Sequence, residues 1–96
     1  MYGLIGRIRA VDGRRDDLAN ILVGMGQLPG CLSYVVATEE SDPAAIWVTE
    51  VWESAEAHAA SLELPAVQAA IERGRPLIAS FDQRIETLPV GGIGLP

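Results

Sequence analysis

The fold of this chain is decided by residues 45–65, which read AIWVTEVWESAEAHAASLELP. The first eight of them predict an extended chain, in which successive side chains point to opposite sides. Both sides of this strand are apolar: Ile46, Val48 and Trp52 lie on one, and Trp47 and Val51 lie on the other. The segment is therefore expected to form a strand that is covered on both faces.

The second half of the same stretch predicts two helices in succession. Ser54 suits the N-cap position, where its hydroxyl accepts a hydrogen bond from a free backbone amide, and the helix that it opens runs to Leu62. Pro65 suits the first position of the next helix, because the amide proton that it lacks is not needed there. The apolar stripe of that helix consists of Val67, Ala70, Ile71, Gly74 and Ile78.

The flanking segments complete the order of elements. Residues 2–11 alternate like a half-buried strand, and Asp12 offers an N-cap oxygen to the amphipathic helix that follows. Residues 31–40 predict a strand that pairs with the next one as an antiparallel hairpin, since only a short break separates them. Residues 80–88 predict the last strand.

This order, β-α-β-β-α-β, is typical of an α+β ferredoxin-like fold, in which helices cover one face of a four-stranded antiparallel sheet. Residues 1–96 are expected to form a single domain, with residues 88–96 as a C-terminal arm rich in glycine and proline. Because helices cover only one face, the second apolar face of the third strand predicts a homodimer. The alternative is that Trp47 or Val51 lies near a sheet edge and is half exposed.

Composition excludes several classes of function. The chain has 13 acidic residues against 7 basic ones, a net charge of −6, and its basic residues are scattered arginines. Nucleic-acid and membrane binding are therefore not expected, because both need a concentrated basic surface. Cys31 is the only cysteine, and no apolar run approaches the length of a membrane span, so a cytoplasmic protein is expected.

The pattern W-x-S-x-E-A-H at residues 52–58, which runs into Leu64-Pro65, resembles the antibiotic biosynthesis monooxygenase (ABM) family and its small quinol monooxygenase-like members. The similarity extends from the first strand to RPLIASFDQRIETLPVGG at residues 75–92. It implies a dimeric α/β barrel of ferredoxin-like protomers. It also implies oxidation of a quinol or a phenolic, polyketide-like substrate by dioxygen, with no metal, flavin or haem as cofactor.

Within that resemblance, particular residues fit the parts that such chemistry needs. His58 is the expected proton acceptor, since an imidazole has an unperturbed pKa of about 6.5. An apolar pocket and hydrogen-bond donors to the developing oxyanion are also required. The expected aromatic walls are Trp47, Trp52, Tyr34 and Phe81, and the expected donors are Arg84, Tyr34 and Ser61.

Each of these residues also has a structural interpretation. His58 lies on the apolar stripe of its helix and could be a packed residue without a chemical role. The tryptophans could be core or interface residues, and Arg84 could pair with an acid across the sheet, because alternation places Asp82 and Glu86 on its face.

Two other classes of function are considered. The first is a small-molecule-binding or stress-response dimer without catalysis. The second, a metal enzyme, is not expected, because the single histidine and the dispersed carboxylates lack the spacing of a ligand set. The haem-degrading branch of the superfamily is not expected either, since the first strand has no asparagine and the later helix has no histidine.

Overall fold

A computed structural model describes all of residues 1–96. Its regular elements follow the predicted order, with one helix more than a minimal ferredoxin-like protomer. They are β1 (Tyr2–Ala10), α1 (Arg15–Val23), β2 (Cys31–Thr38), β3 (Ala45–Trp52), α2 (Ala55–Ser61), α3 (Pro65–Gly74) and β4 (Ile78–Thr87), and a 3₁₀ turn (Arg75–Leu77) joins α3 to β4. Residues 88–96 contain no helix or strand.

The four strands form one antiparallel sheet in the order β2-β3-β1-β4. The register places Glu50 of β3 opposite both Tyr34 of β2 and Leu4 of β1. This topology confirms the α+β ferredoxin-like prediction. The hairpin between β2 and β3 is confirmed as well.

The core lies between the helices and one face of the sheet. Leu18 of α1 packs there against Ile8 and Ile46, and Trp52 is only 1% exposed. The prediction that Ile46, Val48 and Trp52 share an inward-facing side is confirmed, since all three are buried. Burial of such side chains provides most of the stability of a domain of this size.

The opposite face of the sheet has no helix over it. A row of side chains crosses it from edge to edge, and the register gives this row as Val35, Thr49, Ile5 and Ile85. Trp47 and Val51 lie on this face, as alternation predicts, and both are half-buried. We call this surface the uncovered face.

Beside the apolar row, the uncovered face carries a cluster of ion pairs. Arg7 pairs with Glu39, with the Nε–Oε1 distance at 3.0 Å, and with Asp42 and Asp82. Arg9 pairs with Asp42 at 2.8 Å and with Asp82 at 3.3 Å. The hydrogen bonds from Arg9 and Arg7 hold the pKa values of Asp42 and Glu39, respectively, below their ordinary range.

Three local predictions were wrong. Ile78 begins β4 and does not extend the apolar stripe of α3. The N-cap of α1 is Arg14, with no side-chain hydrogen bond, rather than Asp12. Asp82 does not share a face with Arg84, because the pairing of β4 with β1 shifts register between Arg7 and Ile8, as in a β-bulge. The extra residue turns the Asp82 side chain toward Arg7 and Arg9 on the uncovered face.

No helix combines the length and the apolar character that crossing a membrane requires.

Candidate active site

A cavity of about 590 Å³ lies between the helices and the sheet. Of its 21 lining residues, 15 are hydrophobic, so its wall is mainly apolar. Its aliphatic walls include Ile8, Leu18, Ile21, Leu22, Val67 and Ile78. The size and the lining are those of a site for a small organic molecule.

Four of the polar residues that line the cavity lie together at one end. Glu50 projects from β3, and its Oε1 atom accepts a hydrogen bond of 2.9 Å from Nε1 of Trp52. The same oxygen lies 4.0 Å from Nε2 of His58. Tyr34, opposite Glu50 in the register, and Ser61 complete this end. A single carboxylate therefore connects an indole and an imidazole inside an apolar cavity.

The imidazole of His58 is held by aromatic packing rather than by hydrogen bonds. Its ring centroid lies 5.4 Å from that of Tyr2 and 5.3 Å from that of Trp52, with an edge-on arrangement to the indole. The side chain is 16% exposed. Neither ring nitrogen makes a hydrogen bond within the protein, and neither is fully buried.

Local bonds fix α2, and with it His58. The Ser54 hydroxyl accepts a hydrogen bond of 3.1 Å from the Ala57 amide, which confirms the predicted N-cap. Ser61 donates its hydroxyl to the His58 carbonyl at 2.6 Å. At the other side, Gly30 has a φ of +79°, and a Cβ there would lie 2.7 Å from Cβ of Ala57. Only glycine lets the loop before β2 approach the helix so closely.

Tyr34 provides a neutral hydroxyl at this end of the cavity. Burial raises the pKa of its phenol well above the ordinary value, and the negative charge of Glu50 adds to the effect. The phenol therefore stays protonated over the whole neutral range. It can act as a hydrogen-bond donor to an oxyanion, and it is not a base.

The structure brings together five of the residues that the sequence singled out. Those that line the cavity are His58, Trp52, Tyr34, Ser61 and Phe81. Phe81 lies at the mouth, where it is 71% exposed. The Ser61 hydroxyl already donates to a backbone carbonyl, so its proton is not free for a ligand.

Trp47 and Arg84 do not line the cavity. Trp47 lies on the uncovered face, where its Nε1 donates a hydrogen bond of 2.7 Å to Glu39 and Arg7 lies over its ring. Arg84 pairs with Glu86 two residues along the same strand, at 2.7 Å, rather than with an acid across the sheet. Both side chains are therefore satisfied away from the cavity.

Glu50 was missed by the sequence analysis, although the pattern contains it. Alternation places Glu50 between Val48 and Trp52 on the inward side of β3. A carboxylate on the buried face of a strand is rare, because burying a charge is costly unless it has partners. This exception to the apolar pattern could have identified Glu50 as a candidate site residue from the sequence.

No group of three or more His, Cys, Asp or Glu side chains is arranged to hold a metal ion. The three carboxylates on the uncovered face pair with Arg7 and Arg9.

The sequence model of the family described as antibiotic biosynthesis monooxygenase matches residues 1–73. This match covers more than half of the 96 residues. The chain belongs to the antibiotic biosynthesis monooxygenase family. The resemblance predicted from the W-x-S-x-E-A-H pattern is thereby confirmed.

Solved structures agree with ABM membership. A candidate antibiotic biosynthesis monooxygenase from Chloroflexus aurantiacus J-10-fl is 60% identical, with a TM-score of 0.96 over 99% of this chain and 98% of that one. Another, from Deinococcus radiodurans, is 26% identical, with a TM-score of 0.80 over 97% and 96% of the two chains. A protein from Pseudomonas aeruginosa shares the fold at 17% identity, with a TM-score of 0.81 over 94% of each chain. Among curated proteins, none matches this chain.

Proposed function

We propose that this protein is a monooxygenase that oxidises a phenol or quinol with dioxygen, without a cofactor, in the cavity beside His58. The observation that carries the proposal is the group of Glu50, His58 and Tyr34 at one end of a mainly apolar cavity. Family membership supports the same class of reaction. The proposal assigns substrate binding to Trp52, Tyr34 and Phe81 and proton transfer to His58.

The proposed reaction starts with loss of the phenolic proton. His58 accepts it, and the Glu50 carboxylate, 4.0 Å from Nε2, stabilises the imidazolium that results. The phenolate is a much stronger reductant than the phenol, so it can pass an electron to dioxygen directly. The substrate thus takes the place of a redox cofactor.

The remaining steps balance without another reductant. The superoxide formed recombines with the phenoxyl radical at a ring carbon that bears hydrogen, which creates a carbon–oxygen bond and a peroxide. Loss of that carbon's proton and cleavage of the O–O bond give a quinone and water. One oxygen atom enters the product and one leaves as water, and all four electrons that dioxygen accepts come from the substrate.

Tyr34 and Trp52 have separate parts in this scheme. The neutral phenol of Tyr34 donates a hydrogen bond to the substrate oxygen or the peroxide, as an oxyanion-stabilising donor does. Trp52 gives a rigid wall, because its indole is fixed by Glu50 and almost fully buried. A rigid wall holds the ring close to dioxygen in one orientation.

We also propose that the protein acts as a homodimer through the uncovered face. Its apolar row includes Val35 and Ile85, which are 53% and 47% exposed in the protomer. Ile5 and one polar residue, Thr49, lie between them in the row. Exposed apolar side chains on one face of a sheet are typical of an interface. Val35→Arg should yield a monomer in sedimentation, whereas Val23→Arg, on α1, should not. Equal masses for the two variants would refute this interface.

Oxygen uptake tests the proposed oxidation. Purified protein without added cofactor should consume oxygen with a panel of hydroquinones, naphthols and anthrones. Ile71 lines the cavity and is 42% exposed, so Ile71→Trp can fill the cavity without disrupting the core. This variant should lose uptake, while Ala69→Trp, on an exposed site of the same helix, should retain it. Binding of these compounds without any uptake would instead support a non-catalytic binding protein.

A further inference from the structure

The two ends of the cavity differ in charge. The Glu50 carboxylate lies at the end beside His58. Arg75 lines the cavity as well, from the 3₁₀ turn that leads into β4. The cavity therefore has an anion at one position and a cation at another, with an apolar wall between them.

The strand register separates these two positions. Glu50 lies opposite Leu4 of β1, whereas Phe81, at the mouth, lies opposite Ile8. Four residues of extended chain span about 13 Å. Arg75 precedes β4 on the side of Phe81, so it lies at the far end from the proton acceptor.

Arg75 has no acidic partner. Of the seven arginines, four form ion pairs with carboxylates and Arg15 donates to two backbone carbonyls. Arg73 and Arg75 remain, and of these two only Arg75 lines the cavity. Arg75 is also exposed, so its guanidinium is available to a ligand in the cavity.

We propose that Arg75 binds a carboxylate of the substrate, so that the substrate class is an aromatic hydroxy acid. That the hydroxyl of this substrate points toward His58 rests on the proposed function. Glu50 repels the substrate carboxylate from the end of the cavity beside His58. The guanidinium of Arg75 attracts it to the opposite end. A cavity of about 590 Å³ has room for a fused-ring acid that reaches between the two ends.

Calorimetric titration without dioxygen tests the proposal with two matched ligands, because the proposed oxidation cannot proceed under those conditions. The ligands are 6-hydroxy-2-naphthoate, with its hydroxyl and carboxylate at opposite ends, and 6-hydroxy-2-naphthamide, its neutral counterpart. The native protein should bind the carboxylate about two- to fivefold more tightly than the amide, which is the upper part of the range for an exposed arginine–carboxylate pair. High salt should reduce this preference, because it screens exposed charges.

Two variants locate the effect. Arg75→Gln should abolish the preference and leave the affinity for the amide unchanged, and Arg73→Gln should leave both affinities unchanged. The proposal is overturned if the native protein shows no preference, if the preference survives in Arg75→Gln, or if neither ligand binds. A normal preference together with absent oxygen uptake would overturn the proposed oxidation and leave the role of Arg75 standing.

Discussion

The Nε2 atom of His58 lies 4.0 Å from Oε1 of Glu50, and that same oxygen accepts the hydrogen bond of the Trp52 indole. A base, its charge partner and an aromatic wall are therefore connected through one carboxylate. This relationship joins two elements, because Glu50 lies on β3 and His58 on α2. Its geometry depends on the short turn at Glu53 and Ser54 that links them.

Glu50→Gln should lower the turnover of a phenolic substrate by about 10- to 100-fold. The amide oxygen can still accept the bond from Trp52, but it has no charge to stabilise a protonated His58, and a charge pair at this distance near a protein surface contributes on the order of 1–4 kcal/mol. Initial rates of oxygen uptake measure the effect. Glu63→Gln, an exposed site between α2 and α3, is the matched control and should keep the native rate. Equal rates in both variants would remove Glu50 from the mechanism.

The alkaline titration of Tyr34 gives a prediction about its environment. Since burial raises the pKa of this phenol, a Tyr2→Phe protein, with Tyr34 as its only tyrosine, should show little tyrosinate absorbance at about pH 10, where a free phenol is half ionised. At about pH 10 the Tyr34 phenol ionises in the unfolded chain but not in the folded chain. Stability should therefore be fully present below about pH 10 and should fall as the pH rises beyond it. Normal tyrosinate formation in the folded protein would place Tyr34 in water.

The cluster on the uncovered face predicts the behaviour in acid. The pKa values of Asp42, Glu39 and Asp82 are lowered, chiefly by hydrogen bonds from Arg9, from Arg7 and from Ser80, respectively. The stability that these carboxylates contribute is present above about pH 4 and is lost as the pH falls through their lowered values. Thermal unfolding at several pH values should show a smaller loss in acid for Asp42→Asn than for the native protein. Glu86→Gln, from the exposed ion pair on β4, should lose stability in acid as the native protein does. If Asp42→Asn lost as much stability in acid as the native protein, the contribution of Asp42 would be contradicted.

Much of the fold was predictable because the inward side of the sheet is mainly apolar. Alternation gave β1 and β3 their faces, and Ser54 and Pro65 marked the starts of two helices through local hydrogen-bond and backbone requirements. These signals depend on residues close in sequence. The face of Asp82 was predicted wrongly for a different reason. One extra residue in β4 changes the face on which the Asp82 side chain lies, and no feature of the sequence marks that position.

The site was predictable only in part. His58 and Trp52 stood out as rare residues at positions that face inward, but the distance from His58 to Glu50 depends on how α2 packs on the sheet. Trp47 seemed equally suited to an aromatic wall, because both faces of β3 are apolar and the sequence does not say which one borders a cavity. The role proposed for Arg75 could not be predicted from the sequence. It depends on the position of Arg75 at the cavity and on the lack of an acidic side chain near it in the folded protein.

Gly30 and Gly26 form a matched pair for testing how α2 is positioned. Both have a positive φ, +79° and +77°, but a Cβ at Gly30 would meet Ala57 at 2.7 Å, and one at Gly26 would meet nothing. Each alanine substitution should cost about 1–2 kcal/mol from backbone strain. Gly30→Ala should cost more and also reduce oxygen uptake, because α2 must move. If chemical denaturation and uptake give the same values for both variants, the close contact does not position the site.

The central claim is that His58 takes the substrate proton in a reaction that inserts one atom of dioxygen. The direct test is turnover of a naphthol under ¹⁸O₂ by the native protein and by His58→Ala, with circular dichroism and sedimentation to confirm that both are folded and equally assembled. The native protein should place one ¹⁸O atom in each quinone, and His58→Ala should do so about 10²–10⁴ times more slowly. Quinone without the label, or labelled quinone formed at equal rates by the two proteins, would contradict the account.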